Sequence, residues 1–230
     1  KVVATLQRLG IKRKVARYPS TLLGSLELSP VEVLQMYQTL STGGFYMPLR
    51  AIREVTDAGG TPLSKYSLAG RQVVTPQSTF LLRAALERVV RSGTARYAGR
   101  KLQQGSAAGG KTGTTDGLRD SWFAGFAGDK VATVWVGRDD NRPAGLSGSS
   151  GALRVWTRFF QRLPPARVTF PPPQGIVWAW TDSVHGKRVG ARCRGAIKLP
   201  FRHDALPPVA SCRTPGTTAA SSVTPDEERG

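Results

Sequence analysis

Histidine and cysteine are scarce in this sequence of 230 residues, with two of each. All four lie toward the C-terminal end, at His185, Cys193, His203 and Cys212. The sequence also lacks any run of about 18 apolar residues, so it predicts no membrane-spanning helix. No signal peptide opens it, and a helical pattern follows directly on Lys1 rather than on Met. We therefore expect the chain to be a piece of a longer protein.

Acidic residues are also few: 15 Asp and Glu stand against 33 Lys and Arg, for a formal net charge of +18. Such an excess can indicate a polyanionic partner, either nucleic acid or an anionic surface. However, the basic residues are scattered, and only residues 8–17 are dense enough to suggest a specific patch. No recognition helix and no basic strand with interleaved aromatics is evident. Nucleic acid is therefore not an expected partner, although a basic nucleic-acid-binding protein remains an alternative.

The two cysteines lie close together in a segment rich in Pro and Gly that has little core. A disulfide between Cys193 and Cys212 would stabilise such a segment by about 3 kcal/mol and would imply an oxidising compartment. The alternative is a zinc site that also uses His185 and His203, but the spacing contains no CxxC or HxxxH pair. The disulfide is the favoured prediction, and neither a metal nor a cofactor is expected.

Two helices are predicted by signals at their N-termini. The first has Ser29 as its N-cap, Pro30 at the first helical position and Glu32 at the third, which is a capping box. The second opens in a similar way at residues 75–76. Between the two helices, residues 46–60 are typical of a short strand followed by a hairpin.

The character of the sequence changes after Gly93. A polar, glycine-rich stretch leads into strand-like runs, with a tight hairpin signal at residues 128–129, and a helical pattern follows. The order is helices, then antiparallel strands, then one closing helix, which predicts an α+β domain. The three strands are expected at residues 111–115, 121–127 and 131–138, and the closing helix at residues 152–163.

Proline-rich segments divide the chain further. They place a domain over residues 1–163 and a small Pro-rich extension that bears the cysteines over residues 164–213. Residues 176–180 and 196–201 are candidate strands of this extension, which makes it β-rich. Residues 214–230 consist mainly of Thr, Ala, Ser, Pro and acids, a composition that predicts a disordered tail.

Residues 105–112 match the phosphate-loop pattern GxxxxGK[ST], and Asp139 follows an apolar strand as in a nucleotide-binding site. A phosphate loop requires a buried strand before it and a helix that begins at the lysine. The preceding residues are too polar for a buried strand, and the glycines and β-branched threonines after Lys111 disfavour a helix. This interpretation is therefore disfavoured.

Read as an edge strand, Lys111-Thr112-Gly113-Thr114 has a clear chemical logic. Alternation sends Lys111 and Gly113 to one face and the two threonines to the other. A fixed ammonium and hydroxyl groups can hold the carboxylate of a substrate laid alongside the strand. Glycine allows close approach of the substrate backbone, and the N–H beyond it can serve as an oxyanion donor, worth about 3 kcal/mol.

With these residues the sequence resembles the penicillin-recognising serine acyltransferases, whose third motif is K-T-G. GKTGTT is followed by DSWFAGF and VWVGRD, and it is preceded by LSPVEVLQMYQTLSTGG and VVRSGTAR, which look like the helical region of that family. The resemblance covers residues 1–163 and points to class A penicillin-binding proteins. The cysteine pair and the proline-rich extension are similar to those of the 1b type, the bifunctional murein synthases of Gram-negative bacteria. The resemblance implies the penicillin-binding protein/β-lactamase-like transpeptidase fold.

The resemblance also implies a D,D-transpeptidase that cross-links the D-Ala-D-Ala stem peptides of peptidoglycan and reacts with β-lactams. By position, Lys111 would supply positive potential, and Thr112 and Thr114 would bind the terminal carboxylate. The N–H of Thr114 would complete the oxyanion hole, while Gly113 and Thr115 would belong to the substrate-binding strand. The expected location is the periplasmic face of the inner membrane, with an anchor outside this chain.

Two further motifs of that family, S-x-x-K and S-x-N, are missing from these 230 residues. The sole asparagine, Asn141, follows the KTG motif instead of preceding it. In the family both motifs lie upstream of the region matched here. We therefore expect the nucleophile in the upstream half of the same protein, which would be the partner of this chain, and we expect the fragment alone to be inactive. A non-catalytic envelope scaffold of the same fold is the alternative, and envelope regulators are possible further partners.

Overall fold

The structure is a computed structural model that describes residues 1–102 and 107–212. The chain divides into two compact units, Lys1–Gln174 and a second unit from Gly175 onward. The tail predicted at residues 214–230 lies outside the described residues. None of the helices in the described ranges is both long and apolar enough to cross a bilayer.

Helices and antiparallel strands occur in separate groups along the chain, and the α+β prediction is confirmed. The helices are α1 (Val2–Arg8), α2 (Pro30–Ser41), α3 (Pro76–Ser92), α4 (Arg96–Lys101) and α5 (Ala152–Arg162). The strands are β1 (Phe45–Tyr46), β2 (Glu54–Thr56), β3 (Pro62–Lys65), β4 (Arg71–Gln72), β5 (Gly109–Thr114), β6 (Ser121–Ala127), β7 (Lys130–Val136), β8 (Ile176–Asp182) and β9 (Ala196–Arg202). Short 3-10 helices occupy Pro19–Leu23, Asp116–Leu118 and His203–Ala205.

The capping signals of α2 and α3 act as the sequence predicts. Ser29 Oγ accepts a hydrogen bond from Glu32 N at 3.3 Å, and Glu32 Oε2 accepts one from Ser29 N at 2.8 Å. The backbone hydrogen bond from Ser29 and the contact with Arg13 hold the pKa of Glu32 below its usual value. At α3, Thr75 Oγ1 accepts from Ser78 N at 3.4 Å. Each cap satisfies backbone donors that a helix start leaves open.

Helix α4 was not predicted from the sequence. It has no side-chain cap, and it contains Gly99, which lowers helix propensity. The glycine has a tertiary reason, because a Cβ at this position would lie 2.5 Å from Val90 O in α3. The helix therefore exists because it packs closely on α3.

The segment between α2 and α3 forms two small antiparallel pairs, β2 with β3 and β1 with β4. The hairpin predicted around residues 57–60 joins β2 and β3. Its turn is held by Asp57 Oδ1, which accepts from Gly59 N at 2.9 Å and Thr61 N at 2.8 Å. The structure also pairs β1 with β4, on either side of this hairpin in the chain, and this pairing was not predicted from the sequence.

The central sheet has the strand order β5-β6-β7 and is antiparallel throughout. One face packs on α5, where Trp156 is fully buried with its ring centroid 4.9 Å from that of Phe123 and 4.4 Å from that of Phe160. Helix α2 lies against β6 and β7, and α3 lies against β5. Within the described residues β5 pairs with β6 alone, so β5 is an edge strand of this sheet.

The second unit contains the β8–β9 hairpin, in which Trp178 pairs with Pro200 in the strand register. Cys193 and Cys212 form a disulfide with their Cα atoms 5.3 Å apart. Their sulfur atoms are bonded to each other, so they do not form the alternative zinc site.

The division between the units differs from the boundary drawn at residue 163. Residues 164–174 belong to the first unit, where Ala166 N donates to Asp129 Oδ1 at 2.7 Å. The guanidinium of buried Arg83 lies over the ring of Phe170 at 3.7 Å. These contacts attach the proline-rich segment to the sheet and to α3.

Candidate functional site

Four of the predicted site residues lie together on β5. Lys111, Thr112, Gly113 and Thr114 are the last four residues of this strand. The strand begins two residues earlier than expected, at Gly109, and it ends before Thr115. Because Lys111 lies within a strand and no helix begins there, the structure contradicts the phosphate-loop interpretation.

The strand register separates these side chains in the predicted way. Lys111 lies opposite Ala124 and Gly113 opposite Trp122, while Thr112 and Thr114 lie opposite Phe123 and Ser121. Side chains opposite one another in an antiparallel pair share a face. Lys111 and Gly113 therefore share the face of Trp122, and the two threonines share the opposite face.

A cleft of about 890 Å³ adjoins β5. Its walls come from β5, from the aromatic residues Trp122 and Trp135, and from Val33 and Tyr37 of α2. The Trp122 and Trp135 rings lie 6.3 Å apart between centroids. Burial raises the pKa of Tyr37 to about 12, so its hydroxyl stays protonated near neutral pH. The lining of the cleft thus combines aromatic and aliphatic side chains with the polar groups of β5 and with charged residues, among them Arg13, Glu27 and Asp120.

The Lys111 ammonium and the Thr112 hydroxyl belong to one hydrogen-bonded group. Lys111 Nζ donates to Thr112 O at 2.9 Å and lies 3.5 Å from Thr112 Oγ1. Thr112 Oγ1 in turn lies 2.9 Å from Thr94 Oγ1, which belongs to the turn between α3 and α4. A positive charge and two hydroxyls therefore converge beside the middle of β5.

The end of β5 is supported by the loop that precedes α5. Gly148 N donates to Thr114 Oγ1 at 2.9 Å. A Cβ at Gly148 would lie 2.6 Å from Gly113 O and 2.7 Å from Trp122 O, so the loop approaches the sheet more closely than any side chain allows. Because the hydroxyl of Thr114 already accepts this bond, its hydrogen remains available to donate.

The backbone N–H and C=O groups of Thr114 are not used in pairing with β6. Thr115 N donates to Asp120 O at 3.2 Å, so the N–H of Thr115 points toward β6. Successive residues of an antiparallel strand alternate in the direction of their N–H and C=O groups. The N–H and C=O of Thr114 therefore point away from β6, toward the free edge of the strand.

Thr115 lies beyond the strand, in contact with Asp120, which was not among the predicted site residues. Its hydroxyl donates to Asp120 Oδ2 at 3.0 Å, and Asp120 Oδ1 accepts from Trp135 Nε1 at 2.8 Å. Asp120 and Thr94 stand within the motifs DSWFAGF and VVRSGTAR, so their motif context was the available signal. No sequence feature marked Gly148 as a site residue, because its contact with Thr114 is made by its backbone N–H.

Within the described residues there is no group of three or more His, Cys, Asp or Glu side chains that could hold a metal ion. The backbone N–H of Val184 and, after it, His185 Nδ1, which lies 2.7 Å from Asp182 Oδ2, hold the pKa of Asp182 below its usual value. His185 and His203 both belong to the second unit. They have no part in the group around Lys111.

Comparison with known proteins assigns the chain to a family. The family described as "Penicillin binding protein transpeptidase domain" matches residues 10–155, which include all of β5 and most of the first unit. The chain belongs to this family. The resemblance read from the KTG motif and its neighbours is thereby confirmed.

The relatives of this transpeptidase-family chain are class A penicillin-binding proteins. It is 42% identical over 202 residues to Penicillin-binding protein 1B of Vibrio cholerae, covering 87% of this chain and 26% of that protein. It is 38% identical over 176 residues to Penicillin-binding protein 1B of Escherichia coli, covering 76% of this chain and 21% of that protein. The chain therefore spans about a quarter of the length of these relatives.

A solved structure supports the fold. The crystal structure of Penicillin-Binding Protein 1A from Haemophilus influenzae superposes with a TM-score of 0.79, covering 90% of this chain and 39% of that one at 22% identity. The transpeptidase fold expected from the sequence is confirmed.

Proposed function

We propose that this chain forms the substrate-anchoring wall of a peptidoglycan D,D-transpeptidase and that the reacting serine lies outside these 230 residues. The observation that carries the proposal is the arrangement of Lys111, Thr112 and Thr114 on a free strand edge in a member of the penicillin-binding transpeptidase family. In the proposed reaction the serine Oγ attacks the penultimate D-Ala carbonyl of a stem peptide. D-Ala leaves, and an amine of a neighbouring strand then takes the acyl group from the serine.

Lys111 supplies the positive charge of the site. Its ammonium lies against the Thr112 carbonyl and hydroxyl and at the wall of the cleft, where a substrate carboxylate or the active-site hydroxyls can reach it. A fixed cation favours the carboxylate of the substrate and the negative charge that develops during acyl transfer.

Thr112 and Thr114 bind the terminal carboxylate of the stem peptide. Both hydroxyls can donate, because Thr114 Oγ1 accepts from Gly148 N, and Thr112 Oγ1 lies within reach of the Lys111 ammonium. The outward N–H of Thr114 completes the oxyanion hole. Gly113 leaves room for the substrate backbone, which adds to the edge of β5 as an extra strand.

The proposal assigns the other half of the site, with the S-x-x-K and S-x-N motifs that are absent from these 230 residues, to a segment outside this chain. The chain covers 26% of its Vibrio cholerae relative, so that protein has ample length for such a segment. β-Lactams would acylate the same serine. The protein would act at the periplasmic face of the inner membrane, held there by an anchor outside these residues, and the Cys193–Cys212 disulfide suits an oxidising compartment.

The test is covalent labelling with a fluorescent penicillin, resolved on a denaturing gel. We expect the full-length protein to give a labelled band and the 230-residue chain to give none. Lys111→Ala in the full-length protein should slow labelling by about 100-fold or more, because it removes the charge that stabilises the oxyanion and the carboxylate. Lys65→Ala, which removes an exposed strand lysine from the β2–β3 hairpin, is the matched control and should label normally.

Three results would contradict the proposal. Labelling of the isolated chain would reveal a nucleophile within it. Unchanged labelling of Lys111→Ala would remove the assigned role of that residue. A full-length protein that never labels would favour the non-catalytic scaffold.

A further inference from the structure

Asp120 joins three strands of the central sheet through its carboxylate. It stands directly before β6, Thr115 directly follows β5, and Trp135 lies near the end of β7. Asp120 Oδ2 accepts from Thr115 Oγ1 at 3.0 Å, and Asp120 Oδ1 accepts from Trp135 Nε1 at 2.8 Å. We propose that Asp120 is a positioning residue that holds the end of β5, and with it the backbone N–H of Thr114, in the geometry required for acyl transfer. This inference rests on the proposed transpeptidase function and deepens it.

The contact between Asp120 and Thr115 is reciprocal. In addition to the side-chain bond, Asp120 N donates to Thr115 Oγ1 at 2.8 Å and Thr115 N donates to Asp120 O at 3.2 Å. Thr115 thus uses its hydroxyl as donor and acceptor toward the same residue. Three hydrogen bonds fix one residue pair directly beyond the last paired residues of β5.

The chain between these two residues is strained. Leu118 has φ 54° and Gly117 has φ 68°, so two consecutive residues adopt the left-handed region. For a residue such as leucine this conformation costs about 1–2 kcal/mol and persists only where the surroundings fix it. The surroundings here are the Asp120–Thr115 contacts and the bonds from Ala144 N and Gly145 N to Leu118 O, at 2.9 and 3.1 Å.

The contact bears on the site through the direction of the peptide groups. Thr115 N–H points toward β6 because it donates to Asp120 O, and this orientation directs the N–H and C=O of Thr114 to the free edge. An edge strand is paired on one side, so its last residues are free to fray once this contact is lost. An oxyanion donor is effective only when it is fixed before the reaction, and a displacement of about 1 Å can reduce the rate about 100-fold.

The chemistry of the carboxylate suits both partners. The indole N–H of Trp135 can only donate, and the hydroxyl of Thr115 donates while accepting from Asp120 N. A carboxylate presents acceptors on both oxygens, whereas an asparagine would present an NH₂ group to one of the two donors. Asp120 therefore cannot be replaced without loss by its neutral isostere.

The experiment measures acylation of the full-length protein by a penicillin, separating the rate constant at saturation from the concentration at half-saturation. We expect Asp120→Ala to lower the saturating rate constant about 10- to 100-fold, with a smaller loss for Asp120→Asn. Thr115→Val should show a loss similar to Asp120→Ala, and Thr115→Ser, which keeps the hydroxyl, should remain near wild type. The melting temperatures of Thr115→Val and Thr115→Ser should both stay close to that of the wild type. If Thr115 had a structural role alone, the loss of activity in Thr115→Val would come with a lower melting temperature.

The matched control is Asp140→Ala. Asp140 is exposed, lies just beyond β7 and accepts hydrogen bonds from Arg138 with both oxygens, and within the described residues none of its hydrogen bonds involves β5 or Trp135. It should acylate at the wild-type rate. If Asp120→Ala fails to fold, the comparison of Thr115→Val with Thr115→Ser still decides, since equal rates for both would overturn the inference.

The two proposals fail in different ways. A wild-type protein that does not react with penicillin overturns the proposed function and this inference together. A reactive wild type with Asp120→Ala or Thr115→Val acylating within about twofold of it overturns the positioning role alone.

Discussion

Gly148 N donates to Thr114 Oγ1 at 2.9 Å, and this bond ties the loop before α5 to the end of β5. Because the Thr114 hydroxyl oxygen accepts this bond from the loop, the hydroxyl hydrogen remains available to donate to a substrate. The peptide group of one loop residue thereby sets the polarity of a side chain that the proposed reaction needs as a donor.

Thr114→Val should weaken recognition of the substrate carboxylate. We expect acylation of the full-length protein by a penicillin to fall about 10- to 100-fold, because a hydrogen bond to a charged group contributes about 1.5–3 kcal/mol. Thr114→Ser retains the hydroxyl and should stay close to wild type. Thr56→Val, at an exposed position of β2, is the control. Equal rates for Thr114→Val and the wild type would show that the hydroxyl has no part in carboxylate binding.

Gly148→Ala should displace the loop from the sheet. The added Cβ would meet Gly113 O at 2.6 Å and Trp122 O at 2.7 Å, and backbone atoms of a paired strand cannot move aside cheaply. Overpacking of this kind costs about 1–3 kcal/mol, so the melting temperature and the acylation rate should both fall. Gly59→Ala is the control, because there the new Cβ meets only Asp57 Oδ1, at 3.4 Å. Its melting temperature and acylation rate should both stay at the wild-type values. A Gly148→Ala protein with normal stability would contradict the close packing.

Local signals in the sequence predicted most helices and strands of the first unit. The capping box at Ser29 and the cap at Thr75 mark helix starts through bonds within a single turn, and such bonds are legible in a few consecutive residues. The strand-like runs on either side of the tight hairpin signal at residues 128–129 predicted β6 and β7. Helix α4 was missed because its stability comes from the approach of Gly99 to Val90, which lies in another helix.

The boundary of the first unit and the pairing of β1 with β4 depend on contacts between distant residues. Arg83 on Phe170 and Asp129 with Ala166 hold residues 164–174 against the first unit, and proline content alone indicated a break before them.

The candidate site divides in the same way. Lys111 to Thr114 could be predicted because they are contiguous, and strand alternation then gives their faces. Thr94, Asp120 and Gly148 reach them from separate segments. Their contacts with Thr112, Thr115 and Thr114 follow from the tertiary fold and could not be derived from spacing.

Trp156→Ala should strongly destabilise the first unit. The indole is fully buried between Phe123 and Phe160, and its Nε1 donates to Ala132 O at 3.1 Å. Truncation of a buried aromatic side chain costs about 3–5 kcal/mol, and the carbonyl of β7 also loses its donor. Phe159→Ala, on the same helix but 46% exposed, should cost far less. Denaturant unfolding of both variants measures the difference, and similar losses would argue against a core centred on Trp156.

Asp129 should make the stability of the first unit sensitive to acid. The Lys130 ammonium and the Ala166 N–H hold the pKa of this carboxyl below its ordinary value of 3.8. Because the folded-state pKa is lower than the unfolded one, the ionised group stabilises the fold above the ordinary value, and this contribution disappears as the pH falls through the folded-state pKa. Asp129→Asn should therefore unfold at lower denaturant concentration than the wild type at pH 7, and the gap should close as the pH falls below 3.8 and through the lowered folded-state pKa. Lys130→Ala, which removes the larger of the two causes, should narrow the gap at pH 7. A gap that persists unchanged in strong acid would show that Asp129 acts through its shape and its bond to Ala166 and not through its charge.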